Sequence, residues 1–556
     1  LREAIDPLRL RRIGAVGITL ATLLAACGAQ NSTAHERGRA DLKGSAAEGG
    51  SITYGIESET TGGWCLPDAQ LAAGGTEVAQ AVYDTLTVPN AKGAFVPYLA
   101  RSIDHNRDYT QWTITLRGGI AFHDGEPLDA AAVVKNLEAY RRGPVWSAAF
   151  GDIADVRALD NLTVLVTTKV PWVDFPAALW GTGRIGIAAP AQLDDVNCAT
   201  NLIGTGPFSL KSWVPNDTLV VTKNEHYWQK DKSGNALPYL DQITFIPQED
   251  SSQRVNGLKG GDLDLVQVAD GQQIAGLRDD ARSGLVNLLV TGRDAEVEHI
   301  MLNTARPPFD RKSCRLAVAY AIDAESLGES TGGGTRVATQ PFAPKTSGYQ
   351  RNPGYPGFNS PDAKRLLNDC TSELGTSELG FALDSTPDPP VQALAKAIKD
   401  QLAKAGIRVE LASPTNQSAY IDLAIRGEFQ AMLWRNFPSV DPDTLYPWWH
   451  STAVDPGTGA TVRNPANFSS IDDPVIDQSL EHGRSEADPT KRRQIYESIG
   501  RQFGEEAYNI WAWYVDWAFA AQPRLQGLQG PDLPTGDRRG LPITSVQPVL
   551  GLWLRR

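Results

Sequence analysis

The sequence predicts an α/β (α+β) fold, and three observations carry that expectation. Phe381-Ala382-Leu383 and Ile407 to Leu411 read as strands joined by a helix with Val391, Leu394, Ala395, Ile398 and Leu402 on one face, a unit expected to be parallel with a right-handed crossover. Trp112, Ile114 and Leu116 alternate with Thr113, Thr115 and Arg117, the two-residue period of a half-buried strand, and a helix follows. The 556 residues are 41% hydrophobic and 21% charged, which suits about three domains with a large core.

In chain order the first element is an export signal. Arg2, Arg9, Arg11 and Arg12 precede an apolar run from Ile13 to Ala26, shorter than the roughly 20 residues of a membrane span and the right size for a signal-peptide core. Residues 1–26 are expected to be removed. The run ends in Leu24-Ala25-Ala26-Cys27-Gly28, small residues before a thiol that can be acylated, which resembles the lipobox of bacterial lipoproteins. Two or three acyl chains at about 0.8 kcal/mol per buried CH2 would anchor the protein to the outer face of a membrane. The alternative is a soluble secreted protein with an incidental cysteine. Residues 27–48, polar and rich in Gly, Ala and Ser, read as a flexible tether.

The folded part opens with an alternating strand, Ser51 to Ile56, and a helix over Glu77 to Leu86 with Val78, Ala81, Val82 and Leu86 at helical spacing. After the Trp112 strand, Asp124-Gly125 supplies a tight turn and Asp129 caps a helix whose Val133, Val134, Leu137 and Tyr140 form one stripe before Gly143-Pro144. His123, Asp124 and Glu126 are acid–base residue types, but neighbours in a turn point different ways and no nucleophile motif accompanies them, so the structural reading is preferred. Gly204-Thr205-Gly206-Pro207-Phe208 lacks the Lys-Ser/Thr ending of a phosphate loop and reads as a turn. The duplicated Thr371-Ser372-Glu373-Leu374-Gly375 and Thr376-Ser377-Glu378-Leu379-Gly380 read as a slipped repeat in a surface loop. A helix with Cys314, Ala317, Val318 and Ala321 on its inner face puts that thiol near the core.

Charge and cysteines bound the partners and the compartment. With 52 Lys+Arg against 65 Asp+Glu the net charge is −13, which argues against nucleic acid as a partner. Setting Cys27 aside leaves Cys65, Cys198, Cys314 and Cys370, an even count that permits two disulfides in three connectivities; free buried thiols are the alternative, and spacing does not choose. The seven histidines show no metal-ligand spacing, so no metal or cofactor is expected.

Five blocks stand in an order that spans nearly the whole mature chain. They are Tyr83-Asp84-Thr85-Leu86; Trp112 to Arg117 running on to Phe122-His123-Asp124-Gly125-Glu126-Pro127-Leu128; Gly204 to Phe208; Asn224-Glu225-His226-Tyr227-Trp228; and Asn303 with Pro307-Pro308-Phe309-Asp310 followed by Arg315 to Asp323. Together they resemble the family 5 extracellular solute-binding proteins, the lipid-anchored or periplasmic receptors of oligopeptide and dipeptide ABC importers.

That resemblance implies a periplasmic-binding-protein-like class II fold of two lobes with a hinge plus an extra domain. Lobe I would comprise 49–80, 196–290 and 512–556, the extra domain 81–195, and lobe II 291–511. On that division Cys65 with Cys198 and Cys314 with Cys370 would each fall inside one lobe, and this pairing is preferred. A transport receptor buries its ligand without transforming it, so no catalytic residue is expected. In the family, the segment after Trp434 continues with an acidic residue that meets a peptide amine and then an acidic-Pro pair. Here Trp434-Arg435-Asn436-Phe437-Pro438-Ser439-Val440-Asp441-Pro442 supplies the pair in Asp441-Pro442 but has Phe437 or Pro438 where the amine partner belongs. A buried ammonium without a counter-ion costs several kcal/mol, so either Asp441 or Asp443 reaches in or the ligand has no free amine there. Trp511, Trp513 and Tyr514 match an aromatic strand of the cleft, and Glu57 to Trp64 the first strand-to-loop edge. The expected ligand site is therefore Glu57, Trp64, Trp434, Arg435, Asn436, Phe437, Asp441, Trp511, Trp513 and Tyr514, although for each tryptophan singly a packed core position is the better expectation.

The functional expectation is a monomeric, lipid-anchored receptor that delivers oligopeptides or dipeptides to ABC permease subunits in the membrane. A non-peptide ligand on the same fold, a glycolipid or cell-wall fragment, is the alternative. A secreted hydrolase is a distant third, with only the His123-Asp124 pair behind it.

Overall fold

The computed structural model describes residues 46–330, 336–344, 346–436, 441–455, 457–539 and 546–556. The expected signal peptide, most of the tether, Cys27 and Phe437 lie outside these residues. Among the described residues no helix is long and apolar enough to cross a membrane.

A mixed ten-stranded sheet runs through the molecule. Ser51–Ile56 buries Ile52, Tyr54 and Ile56 and pairs in parallel with Gln242–Pro247 on one side and Leu265–Val268 on the other. Beyond Gln242–Pro247 lie Thr218–Lys223 and then Phe208–Val214, both added antiparallel. In the other direction Leu265–Val268 meets the long strand Asn509–Ala521, which meets the still longer Asn287–Leu302. Ala431–Asn436, Leu379–Asp384 and Ile407–Ala412 complete the order. The two long strands thus join one half of the sheet, built on residues 51–268, to the other, built on residues 379–436. Their register shifts between Thr291 and Glu296, opposite Trp517 and Val515.

The strand-helix-strand unit is present as Leu379–Asp384, Pro389–Lys404 and Ile407–Ala412, with the strands parallel and Leu394, Ala395, Ile398 and Leu402 buried. A separate antiparallel sheet contains Ala100–His105, Gln111–Leu116, Thr163–Thr168 and Ile153–Asp160 in that spatial order. Beside it runs the helix Ala130–Arg142, whose Asp129 cap accepts the Ala132 amide at 2.8 Å.

Two local readings are corrected. The first helix is Ala73–Val82 rather than 77–86. Gly74 and Gly75 are poor helix formers, yet a side chain at Gly74 would put its Cβ 2.0 Å from the Ser58 carbonyl oxygen, so close packing demands the residue that propensity disfavours. The helix stops where the Gly206 amide takes the Val82 carbonyl at 2.8 Å, and at Gly206 a Cβ would lie 2.5 Å from that same oxygen. The pentapeptide repeat is not one surface loop. Its first copy ends the helix Ser360–Leu374, with Gly375 as a left-handed cap at φ 66°, and its second copy leads into the strand Leu379–Asp384.

Both disulfides form, Cys65 to Cys198 and Cys314 to Cys370. The second joins the helices Lys312–Ala321 and Ser360–Leu374. His123 is structural: its Nδ1 accepts the Gly204 amide at 3.2 Å, which leaves Nε2 to donate to the Gly206 carbonyl at 3.0 Å. Burial holds its pKa below the ordinary imidazole value.

Candidate functional site

Strand alternation decides what faces the gap between the two halves of the sheet. Glu298 stands directly opposite Arg435 on one neighbouring strand and Trp513 on the other, so these three side chains share a face. They border a cavity of about 140 Å³. Its wall includes Glu57, Ser251, Arg254, Asp270 and Arg278 from the first half and Arg336, Asp388, Leu433 and Arg435 from the second. Tyr514, Val515 and Asp516 of the long strand complete it.

The two halves are bridged by polar contacts between residues far apart in sequence. An Arg435 Nη2 donates to Glu57 Oε1 at 2.5 Å. The Ser251 amide and hydroxyl both reach Asp388 Oδ1 at 3.3 Å. The Gln417 amide donates to Glu249 Oε1 at 2.8 Å, and the Ser418 hydroxyl meets the Thr60 carbonyl at 3.4 Å.

Most of the ionic lining is already paired. Arg278 holds Asp516 at 3.3 Å, and Arg254 donates to the carbonyls of Gln267 at 2.9 Å and Glu249 at 3.1 Å. Arg336 lies 5.3 Å from the Tyr514 ring centre, and Arg435 4.9 Å from that of Trp517. Arg435 is the hub. Burial alone would lower its pKa, and the carboxylates of Glu57, Glu296 and Glu298 more than reverse this. Glu296 is buried and accepts the Trp517 indole N–H. Glu298 differs, because among the described residues its carboxylate has no hydrogen-bond or ion-pair partner. Burial pushes its pKa up to about 8, with Arg435 opposing and Glu296 and Glu57 adding to the rise. Burial likewise brings Asp388 to about 6, against the pull of Arg254.

Of the residues expected at the site, Glu57, Arg435, Trp513 and Tyr514 line the cavity together. The others stand elsewhere for identifiable reasons. Trp64 is fully buried with its ring 5.9 Å from Trp213, and Trp511 is buried against Phe503 and His299. Trp434 stacks on Tyr420 at 5.7 Å, on the opposite strand face from its neighbour Arg435. Asn436 is spent on the backbone, accepting the Val297 amide at 2.8 Å. Asp441 grips Arg492 through both oxygens, at 2.6 and 2.8 Å, and so does not reach the cavity. Nor does Asp443, which takes the Trp172 indole at 2.7 Å and Arg484 at 2.8 Å.

The reading of the sequence missed Glu298, Arg254, Asp388 and Asp516. One signal was available: Glu296 and Glu298 interrupt a run that ends in the apolar Ile300-Met301-Leu302, and two acids in a central strand ask for a reason. Among the described residues, no group of three or more His, Cys, Asp or Glu could hold a metal ion.

The arrangement is a partly open, charged chamber between two halves of one sheet. Residues 94–456 match the model of the bacterial extracellular solute-binding proteins, family 5 Middle. The chain belongs to that family. A curated relative, the nickel-binding periplasmic protein of Escherichia coli K12, is 26% identical over 492 residues, covering 84% of this chain and 89% of the relative. Among solved structures, the oligopeptide-binding protein AppA of Bacillus subtilis in complex with a nonapeptide has a TM-score of 0.76 at 21% identity, covering 92% of this chain and 100% of AppA. AgaA of A. tumefaciens R10 with agropinic acid has a TM-score of 0.76 at 24% identity, covering 91% and 99%. These likenesses establish for this solute-binding protein the two-lobed class II fold of periplasmic binding proteins.

Proposed function

We propose that this family 5 protein is the lipid-anchored receptor of an ABC importer, closing its lobes on a short peptide and delivering it to the permease. The observation that carries the reading is the lining of the chamber. Carboxylates and guanidiniums together line about 140 Å³, a charge pattern suited to a small molecule with ionised ends and unsuited to a glycolipid. The division into lobe I (49–80, 196–290, 512–556), extra domain (81–195) and lobe II (291–511) belongs to the same reading. It is supported by the two long strands that link the halves of the sheet and by the separate four-stranded sheet. The anchor at Cys27 is supported by the lipobox-like Leu24 to Cys27, and the receptor is proposed to act as a monomer.

A non-peptide ligand of similar charge is the second reading, favoured by Phe437 or Pro438 at the position where the family places its amine partner. Mass spectrometry of molecules released by denaturing the purified protein separates the two. A ladder of short peptides supports the first reading, and a single non-peptide species the second. A thermal-shift panel of di- to hexapeptides follows, in which ligand at a hundred times its Kd adds about 2.7 kcal/mol. No shift with any of them would remove the peptide reading.

A further inference from the structure

We propose that Glu298 receives a cationic nitrogen of the ligand, so that the chamber selects molecules bearing a protonated amine or guanidinium. This rests on the chamber being the ligand site but not on the ligand being a peptide.

The carboxylates of Glu57, Glu296 and Glu298 all act on the guanidinium of Arg435. Two of them are spent, Glu57 on Arg435 itself and Glu296 on the Trp517 indole. The lining cations are engaged as well: Arg278 with Asp516, Arg254 with backbone carbonyls, and Arg336 over Tyr514. Glu298 is left facing the chamber without a hydrogen-bond or ion-pair partner among the described residues. Its opposite neighbour Trp513 offers an aromatic face on which a cation also rests favourably. An arriving cation would supply the counter-charge that lets the Glu298 carboxyl ionise.

The other titratable group that senses Glu298 is Tyr420, whose hydroxyl donates to the Leu433 carbonyl, so Glu298 is the member of this set free to respond. With burial holding Glu298 at about 8, most molecules carry its proton at pH 7. A ligand cation favours the ionised carboxylate. Binding then sends the Glu298 proton to the buffer while the ligand keeps its own, and most of one proton is released per ligand bound.

The test uses trialanine against N-acetyl-trialanine, and aminocaproate against caproate, by titration calorimetry at pH 7 in two buffers of different ionisation enthalpy. The amine-bearing member of a pair is expected to bind at least roughly tenfold more tightly, with proton release. Glu298→Gln should keep the fold and melting temperature while losing both the preference and the released proton. Equal binding of both members of each pair, or a preference that survives in Glu298→Gln, overturns the proposal. Aminocaproate binding with Glu298-dependent proton release, without peptide binding, would remove the peptide reading and leave this one standing. Co-purified ligand released by denaturation should carry a basic nitrogen, and a ligand without one overturns the proposal even if no probe binds.

Discussion

Arg435 and Glu57, 378 positions apart in sequence, meet at 2.5 Å across the cleft, with exposures of only 19% and 13%. Because Arg435 also faces Glu296 and Glu298, it neutralises the chamber as well as closing it. Arg435→Met takes away the ion-pair partner of Glu57 and should cost about 3 kcal/mol in stability and at least tenfold in ligand affinity. It should also raise the radius of gyration of the ligand-free protein in solution scattering. An unchanged radius with unchanged affinity would show that the pair neither closes nor shapes the cleft.

Asp441 and Arg492 should behave in the opposite way. Their bidentate pair is buried away from the chamber, and Arg492 also contacts Asp174. Removing the cation in Arg492→Met strands a buried carboxylate, with an expected loss of about 3–5 kcal/mol in denaturant melts. Ligand affinity measured well below the new midpoint should stay within about twofold, since no atom of the pair touches the chamber.

Acid sensitivity should trace in part to His299. It is 2% exposed, its Nδ1 donates to the Val297 carbonyl at 3.1 Å, and burial lowers its pKa to about 4, only partly offset by that bond. Between about 4 and the ordinary imidazole value the unfolded chain binds a proton that the folded chain refuses. Stability is therefore lost as the pH falls through that window, by about 3 kcal/mol for the full interval. Melting curves of His299→Gln from pH 7 to pH 4 should be flatter than those of the parent. Parallel curves would refute the assignment.

Reduction should unfold the molecule in graded fashion. Loops of 133 and 56 residues imply, on chain-entropy arguments, about 5 kcal/mol for Cys65–Cys198 and about 4 kcal/mol for Cys314–Cys370. Paired Cys→Ser variants, melted singly, should lose stability in that order.

Local periodicity made the elements legible where one face is buried and the cap is a side chain. The Trp112 strand, the Asp129 cap and the helix from Pro389 all rest on such signals. The bounds of Ala73–Val82 were not legible because its start depends on Gly74 fitting against Ser58, a contact between residues separated in sequence and invisible to propensity. The repeated pentapeptide failed for a related reason, since five identical residues became helix end in one copy and strand entry in the other once Gly375 adopted its left-handed cap. At the site, aromatics proved a poor guide. Trp64, Trp434 and Trp511 have large apolar surfaces that the core can use, whereas Glu57 and Arg435 are charged groups that only a cleft or a partner can accommodate. Glu298 escaped because it sits outside every block that carries the resemblance.

His123 fastens its turn to the Gly204 to Gly206 loop, and both segments are among the letters by which the family is recognised. Those letters record masonry. Proteins that share them share a scaffold, and a genome survey keyed to them sorts chains by architecture while remaining blind to cargo. A catalogue of what such receptors carry has to be keyed instead to the positions equivalent to 57, 298 and 435.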